Sequence, residues 1–204
     1  MARQNRVTPE GAIIADPARG MFMGGRGILH DEAGRIVAPF RHRNWVCCLT
    51  AFKGRRRPIM APRRYTELFF LDEATALAAG HRPCAECRRA DYNAFRASWA
   101  KATGLPPPSA RDMDRALHAA RVAPRSRVKR TYEADVATLP DGAFVRLAGG
   151  PALVRETGFW PSSPSGYGPA LPRPASGPVT VLTPEPTVEV LRMGYAPRLH
   201  PSAG

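Results

Sequence analysis

Residues 68–89 read LFFLDEATALAAGHRPCAECRR, and they place an apolar strand, a helix, a helix stop and two cysteines in immediate succession. Asp72 predicts the start of the helix, because its carboxylate can accept hydrogen bonds from the free backbone N–H groups of the first turn. Alanines continue the helix, and Gly80 can take the left-handed conformation that ends it. Pro83 suits the first position of a second helix, which the pattern extends to about Thr103.

Cys84 and Cys87 follow the turn between these two predicted helices. Two thiolates at this spacing, one at a helix start and the other a turn later, can bind one metal ion. The same spacing also occurs in redox dithiols and in unrelated core cysteines, but a redox dithiol needs a thioredoxin-like strand and helix, which is not evident upstream. We therefore interpret the pair as half of a zinc site.

The other half of the site is expected in the strand that contains Cys47 and Cys48. Strand alternation points these two side chains to opposite faces, so only one is expected to meet Cys84 and Cys87. Cys48 is preferred, with Cys47 packed or spare. The candidates for the fourth ligand are Cys47, His42, His30, His81 and water. An open fourth position would permit catalysis, whereas four protein ligands would make the metal structural or the partner of a nucleophilic thiolate.

The motifs FF at 69–70, DEA at 72–74, AAG at 78–80, RPC at 82–84 and CR at 87–88 carry a resemblance to a known family. They resemble the metal-binding domain of Ada-type DNA repair proteins, over about residues 45–89. In that family four cysteines hold zinc, and one of them accepts a methyl group from a phosphotriester in DNA. The adjacent pair Cys47 and Cys48 stands where the family has two cysteines three residues apart. The resemblance implies a zinc fold, with Cys48 or Cys47 as the candidate nucleophile.

The positive charge of the chain is concentrated in one part. The net charge of the 204 residues is +13, and residues 1–130 hold 25 basic and 11 acidic residues against 5 and 6 in residues 131–204. A polyanion is the natural partner of such a surface, because each neutralised phosphate releases counterions. We expect nucleic acid, with DNA favoured, and a merely solubilising surface is the alternative. The candidate phosphate contacts are Arg55, Arg56, Arg57, Arg63, Arg64, Arg82, Arg88 and Arg89.

A second class of function is a metal-dependent nuclease or hydrolase. His30 and Asp31, in a predicted hairpin between residues 28 and 37, could act there with His42, although a hairpin position is also compatible with simple exposure. A purely structural zinc in a protein with another substrate is the third alternative. The chain contains no G-x-S-x-G, H-E-x-x-H, Walker lysine or dinucleotide glycine pattern. Whether the protein is an enzyme therefore stays open.

These patterns together predict an α+β fold in three parts. Residues 1–20 are expected to be irregular, residues 21–130 to form a basic Ada-like zinc-binding domain with two following helices, and residues 131–204 to form a small neutral α+β domain rich in hairpins. Within the last part, residues 161–178 predict a long Pro/Gly/Ser-rich loop. The N-terminus shows no apolar signal segment and no stretch is long enough to span a membrane, which predicts a cytoplasmic protein with reduced thiols.

Overall fold

The computed structural model describes residues 2–55, 58–156 and 158–204, and it confirms the α+β class with two sheets and four α-helices in these ranges. The strands of the first sheet are β1 (Gln4–Val7), β2 (Ile13–Ala15), β3 (Phe22–Gly25), β4 (Val46–Leu49), β5 (Leu68–Phe70) and β6 (Arg82–Pro83). Their order across the sheet is β2-β1-β5-β3-β4-β6. The pairs β1–β5 and β4–β6 are parallel, and the other pairs are antiparallel.

The second sheet contains seven antiparallel strands from the last third of the chain. They are β7 (Tyr132–Asp135), β8 (Phe144–Leu147), β9 (Gly150–Arg155), β10 (Gly158–Ser163), β11 (Gly166–Tyr167), β12 (Leu171–Pro172) and β13 (Pro178–Val181). The order is β11-β10-β9-β8-β13-β7, and β12 pairs with β10. β8 and β9 form one of the hairpins expected in this part of the chain.

Helix α1 (Glu73–Ala78) forms where the opening stretch predicts it, and it contacts strands of both sheets. The Asp72 carboxylate accepts a hydrogen bond from the Thr75 backbone N–H at 2.8 Å, and Gly80 ends the helix region with a φ of 94°. Every residue of α1 is buried. This short helix therefore lies at the centre of the molecule.

The second helix begins later than predicted. β6 pairs Pro83 with Cys47 of β4, so Pro83 extends the first sheet instead of starting a helix. The chain then turns through Cys84 to Arg88. The remaining helices are α2 (Arg89–Thr103), α3 (Ala110–Arg121) and α4 (Glu185–Arg192). Both cysteines of the pair consequently lie in a turn between a strand and a helix.

Three segments of the chain are organised differently from the sequence prediction. Residues 1–20 contribute β1 and β2, and β1 lies beside β5; strands of three or four residues are too short to show a period. The predicted hairpin at 28–37 is reduced to a single bridge between His30 and Ile36. The predicted loop at 161–178 contains the second half of β10 and all of β11 and β12.

A hydrophobic cluster joins side chains from both sides of residue 130. Phe95 of α2 and Leu117 of α3 belong to the same cluster as Val145 of β8 and Val190 of α4. The proposed division of the chain into domains stays a prediction.

Residues from the last quarter of the sequence donate hydrogen bonds to the two carboxylates at the start of α1. The Tyr167 hydroxyl donates to Asp72 at 2.7 Å, and the Tyr195 hydroxyl donates to Glu73 at 2.5 Å. The backbone N–H of Arg198 donates to the second Glu73 oxygen at 3.0 Å. Both carboxylates are buried, so these distant residues supply the hydrogen bonds that a buried anion requires.

Buried cations surround Trp45. The guanidinium carbons of Arg26 and Arg121 lie 4.2 Å and 4.0 Å from the centre of its ring. Arg121 also donates to the Gly80 carbonyl at 2.6 Å, and the Lys129 ammonium donates to the Ala78 carbonyl. The C-terminal end of α1 is thus covered by positive charge, which its dipole favours. In the part of the chain that the structure describes, no helix is long and apolar enough to cross a membrane.

Candidate metal centre

Three cysteine sulfurs converge at one edge of the first sheet. The Sγ atoms of Cys48, Cys84 and Cys87 all lie within 4.8 Å of one another, and each side chain is partly buried. Thiolates at such separations can bind the same ion. Among the described residues, this is the one group of three or more histidine, cysteine or acidic side chains that could hold a metal in this way.

The pairing of β4 with β6 brings the two halves of this group together. Cys47 lies opposite Pro83, and the Cys84 backbone N–H donates to the Cys47 carbonyl at 2.9 Å. Cys48 therefore lies next to the turn that begins at Cys84. The turn returns toward the sheet and brings Cys87 to the same place.

Backbone N–H groups point at two of the sulfurs. Leu49 N donates to Cys87 Sγ and Glu86 N donates to Cys84 Sγ, each at 3.4 Å. Such bonds favour the thiolate form, which is the form that binds metals. These two backbone N–H groups thus stabilise negative charge on the sulfurs of Cys84 and Cys87.

The three thiols influence one another's ionisation. A hydrogen bond from Cys48 lowers the pKa of Cys84, in opposition to burial, and so favours the thiolate form of this side chain. The same bond, followed by burial, raises the pKa of Cys48, and burial raises the pKa of Cys87. Several adjacent thiolates repel one another unless a cation is present. A soft divalent ion such as zinc fits this donor set, because it prefers thiolate ligands and would offset their charge.

Cys47 does not belong to the group. Its side chain is fully buried, and its sulfur accepts a hydrogen bond from Arg88 Nη1 at 3.3 Å. Burial raises the pKa of this thiol. The alternation prediction, which preferred Cys48 over Cys47, agrees with this arrangement.

The histidines considered as a fourth ligand are not part of the group either. His81 is buried and accepts from Arg26 Nε at 3.3 Å. His30 is buried too, with its ring nitrogens within hydrogen-bond distance of Thr66 Oγ1 and the Ala61 carbonyl. Burial lowers the pKa of His42, whose electrostatic neighbours are Asp114 and Arg121. Within the described ranges, the cysteines could provide three protein ligands, and a bound metal would take any fourth ligand from another group.

The same three cysteines line a large open cavity of about 710 Å³, which we call the cysteine cavity. Its other lining residues are Met23, Val46, Leu49, Thr50, Phe52, Arg55, Ile59, Tyr65, Glu67, Phe69 and Glu86. A metal held by the cysteines would therefore lie in the wall of a space large enough for a ligand.

Glu67 is a member of this wall that the sequence interpretation missed. Its side chain is buried, and one carboxylate oxygen accepts from the Met60 backbone N–H at 2.7 Å. Glu67 directly precedes β5, and an acidic residue beside an apolar strand is the only signal in the sequence. The other pair proposed for catalysis, His30 and Asp31, does not line the cavity. Asp31 instead pairs with Arg35, whose hydrogen bonds lower its pKa.

Two of the arginines predicted to contact phosphate are inside the molecule. Arg82 pairs with Asp114 and Arg88 pairs with Glu73, in both cases with a nitrogen–oxygen distance of 2.7 Å. Both guanidinium groups are buried and neutralised by carboxylates. A phosphate contact by Arg82 or Arg88 does not fit this position, because each guanidinium group already pairs with a carboxylate inside the molecule.

The other predicted contacts lie at the surface or outside the described residues. Arg55 pairs with Glu86, and Arg63 pairs with Glu32, in exposed ion pairs that contribute little to stability. Arg64 and Arg89 are exposed. Arg56 and Arg57 lie outside the described residues. Comparison with protein-family models, curated proteins and solved structures finds no match that would assign this chain to a family.

Proposed function

We propose that this protein holds zinc through Cys48, Cys84 and Cys87, that it binds DNA, and that Cys48 accepts an alkyl group from DNA. The observation that carries the proposal is the convergence of the three sulfurs in the wall of the cysteine cavity. Zinc would keep the thiols ionised at neutral pH, and a zinc-bound thiolate remains nucleophilic. The resemblance to the Ada-type domain supports the same chemistry.

Cys48 is the best candidate for the acceptor. It lies on the cavity face of β4, whereas Cys47 is fully buried on the opposite face. The Cys48 sulfur would attack the methyl carbon of a methyl phosphotriester. A sulfur–carbon bond forms, the carbon–oxygen bond breaks, and its electron pair stays on the phosphate oxygen. The negative charge passes from the thiolate to the phosphodiester, and no proton is transferred.

The charge of the chain supports DNA as the partner. The excess of +14 lies in residues 1–130, which contain the cysteines. Lys53, Arg55, Arg64 and Arg89 are exposed in the same half of the chain. Contacts of this kind give binding that weakens steeply with added salt.

The test is to incubate the zinc-loaded protein with DNA that contains methyl phosphotriesters, supplied both as a duplex and as a single strand, and to map the cysteine peptides by mass spectrometry. We expect one methyl group on Cys48, in stoichiometric amount. The Cys47→Ser variant is the matched control and should be methylated equally well. A zinc-loaded protein that acquires no methyl group, or acquires it on Cys47, would contradict the proposal.

A metal-dependent hydrolase is the second candidate, because three protein ligands and a buried carboxylate face the same cavity. Glu67 could act there as a general base for water. Hydrolysis predicts many turnovers per chain, whereas alkyl acceptance stops after one. Turnover of a DNA or phosphodiester substrate, lost in Glu67→Gln and kept in the exposed Glu32→Gln control, would favour hydrolysis over alkyl transfer.

A further inference from the structure

The cysteine cavity continues into a second depression, which we call the N-terminal groove. This groove has a volume of about 450 Å³ and is lined by Ala2, Arg3, Asn5, Arg6, Asp16, Pro17, Arg19, Gly20, Thr50, Ile59 and Phe69. Thr50, Ile59 and Phe69 line both spaces. The two depressions therefore adjoin along one face of the first sheet.

A row of cross-strand neighbours connects them. Cys48 lies opposite Met23, Met23 lies opposite Phe69, and Phe69 lies opposite Arg6. Directly paired residues share a face of a sheet, and strands are about 4.8 Å apart, so the row spans roughly 14 Å. The residues between them on each strand point into the core, as Leu68 does on β5.

The groove is positively charged. Arg3, Arg6 and Arg19 line it, and the acidic residue in its lining is Asp16, whose charge acts on Arg6. Arg3 and Arg19 are exposed, and Arg3 donates to the Ile59 carbonyl at the junction with the cysteine cavity. The arginines come from the segment predicted to be irregular, and formation of β1 places them beside the cysteine-bearing sheet.

Aromatic rings lie along the same path. Phe69 is partly exposed, and the Arg6 guanidinium lies 5.0 Å from the centre of its ring. Phe52 also lines the cysteine cavity, with Lys53 and Arg55 at 5.3 Å and 5.5 Å from the centre of its ring. Aromatic rings and arginine planes that alternate with positive charge are typical of proteins that bind single-stranded nucleic acid.

We propose that this face of the first sheet binds single-stranded DNA, with the phosphates in the N-terminal groove and unstacked bases on Phe69 and Phe52, and leads the strand to the cysteines. The inference rests on the proposed function for its choice of DNA and of the acceptor. A ring on the floor of a recess reaches the face of a base only when that base is unstacked, so a single strand fits and an intact duplex does not.

The test is fluorescence anisotropy with a labelled single-stranded DNA, the same sequence as duplex, and the same sequence as single-stranded RNA, across a salt series. We expect the wild type to bind single-stranded DNA at least 10-fold more tightly than duplex. Arg3→Ala/Arg19→Ala should weaken binding about 10-fold and reduce the salt slope by about 1.4, which corresponds to two phosphates of a single strand. The control Arg111→Ala/Arg115→Ala removes the same charge from the exposed face of α3 and should keep most of the affinity.

The Phe69→Leu variant tests the contribution of base stacking separately from that of charge. It should weaken single-strand binding about 5-fold or more and leave the salt slope unchanged, because it removes stacking and no charge. Equal losses in the two double arginine variants, equal affinity for duplex and single strand, or a clear preference for RNA would overturn the inference. Methylation of Cys48 in wild type and in Arg3→Ala/Arg19→Ala alike would leave the proposed function standing without this binding face. Single-strand binding that depends on the N-terminal groove, without methylation of Cys48, would support the binding face and contradict the proposed alkyl transfer.

Discussion

Cys47 and Cys48 are consecutive in strand β4, yet their sulfur atoms lie on opposite faces of the first sheet. The Cys47 sulfur accepts a hydrogen bond from the buried Arg88 at 3.3 Å, whereas the Cys48 sulfur belongs to the group with Cys84 and Cys87. One cysteine therefore packs the interior, and its neighbour is available to a metal.

Serine substitution should separate these two roles. Cys48→Ser is expected to lose most of the bound zinc, because only two thiolates remain. Cys47→Ser should keep a full complement, since its sulfur is outside the group. Metal content of the purified proteins by atomic emission, together with thiol titration, measures the difference. Equal zinc loss in the two variants would show that Cys47 is a ligand.

Removal of the Arg88 charge should destabilise the fold. Arg88→Met leaves Glu73 as a buried anion without its main partner, which typically costs about 3–5 kcal/mol. The neighbouring Arg89 is exposed, so Arg89→Met should change the free energy of unfolding by less than about 0.5 kcal/mol. Urea unfolding followed by circular dichroism measures both. Similar stabilities of the two variants would contradict the assignment of Arg88 to the interior.

The sequence predicted the part of the site that depends on local chemistry. The cap at Asp72, the stop at Gly80 and the opposite directions of Cys47 and Cys48 follow from backbone rules that act over a few residues. The start of α2 was wrong because the pairing of Pro83 with β4 is a long-range contact. The burial of Arg82 and Arg88 was missed for the same reason. Asp114, the partner of Arg82, and Glu73, the partner of Arg88, are both distant from these arginines in the sequence.

A methyl group at Gly80 should be poorly tolerated. The residue has a φ of 94°, and a Cβ there would lie 2.5 Å from Cδ of Arg121. Arg121 is buried against Trp45 and cannot easily move. Gly80→Ala should lower the free energy of unfolding by about 1–3 kcal/mol. Gly149→Ala is the control, because no atom lies within 4 Å of its Cβ position. A thermal melt that shows equal midpoints would contradict this expectation.

Lys129 should make stability depend on pH. Burial and the charges of Arg26 and Arg121 lower its pKa to about 7, although Glu10 acts in the opposite direction. The ordinary value is about 10.4, so between about pH 7 and 10 the unfolded chain binds more protons than the folded one. The Lys129 contribution to stability therefore rises with pH in this window, by at most about 1.4 kcal/mol per pH unit.

The comparison of wild type with Lys129→Met isolates this contribution. Urea unfolding is measured between about pH 7 and 9 with a chelator present, so that metal binding does not add its own pH dependence. The difference in unfolding free energy between the two proteins should change with pH in the stated direction. A constant difference would show that Lys129 keeps its ordinary pKa in the folded state.

The binding face next to the cysteines could not be derived from the sequence. Arg6 and Phe69 are far apart in the chain, and only the parallel pairing of β1 with β5 makes them neighbours. Glu67 is likewise separated from the cysteines in sequence and enters the cavity wall through the position of β5. Such sites depend on the order of the strands in the sheet. Strands of three or four residues show too little alternation for that order to be predicted from the sequence.

The hydrogen bonds that hold Asp72 and Glu73 have a consequence for the order in which this protein can mature. The partners Tyr167, Tyr195 and Arg198 follow the carboxylates that they hold by 95, 122 and 125 residues, so a ribosome adds them long after α1. All three thiols of the candidate metal site are synthesised much earlier. A nascent chain can thus present its cysteines to metal while the central helix still lacks these hydrogen bonds, and the packing of that helix is completed only after Tyr167, Tyr195 and Arg198 have been synthesised.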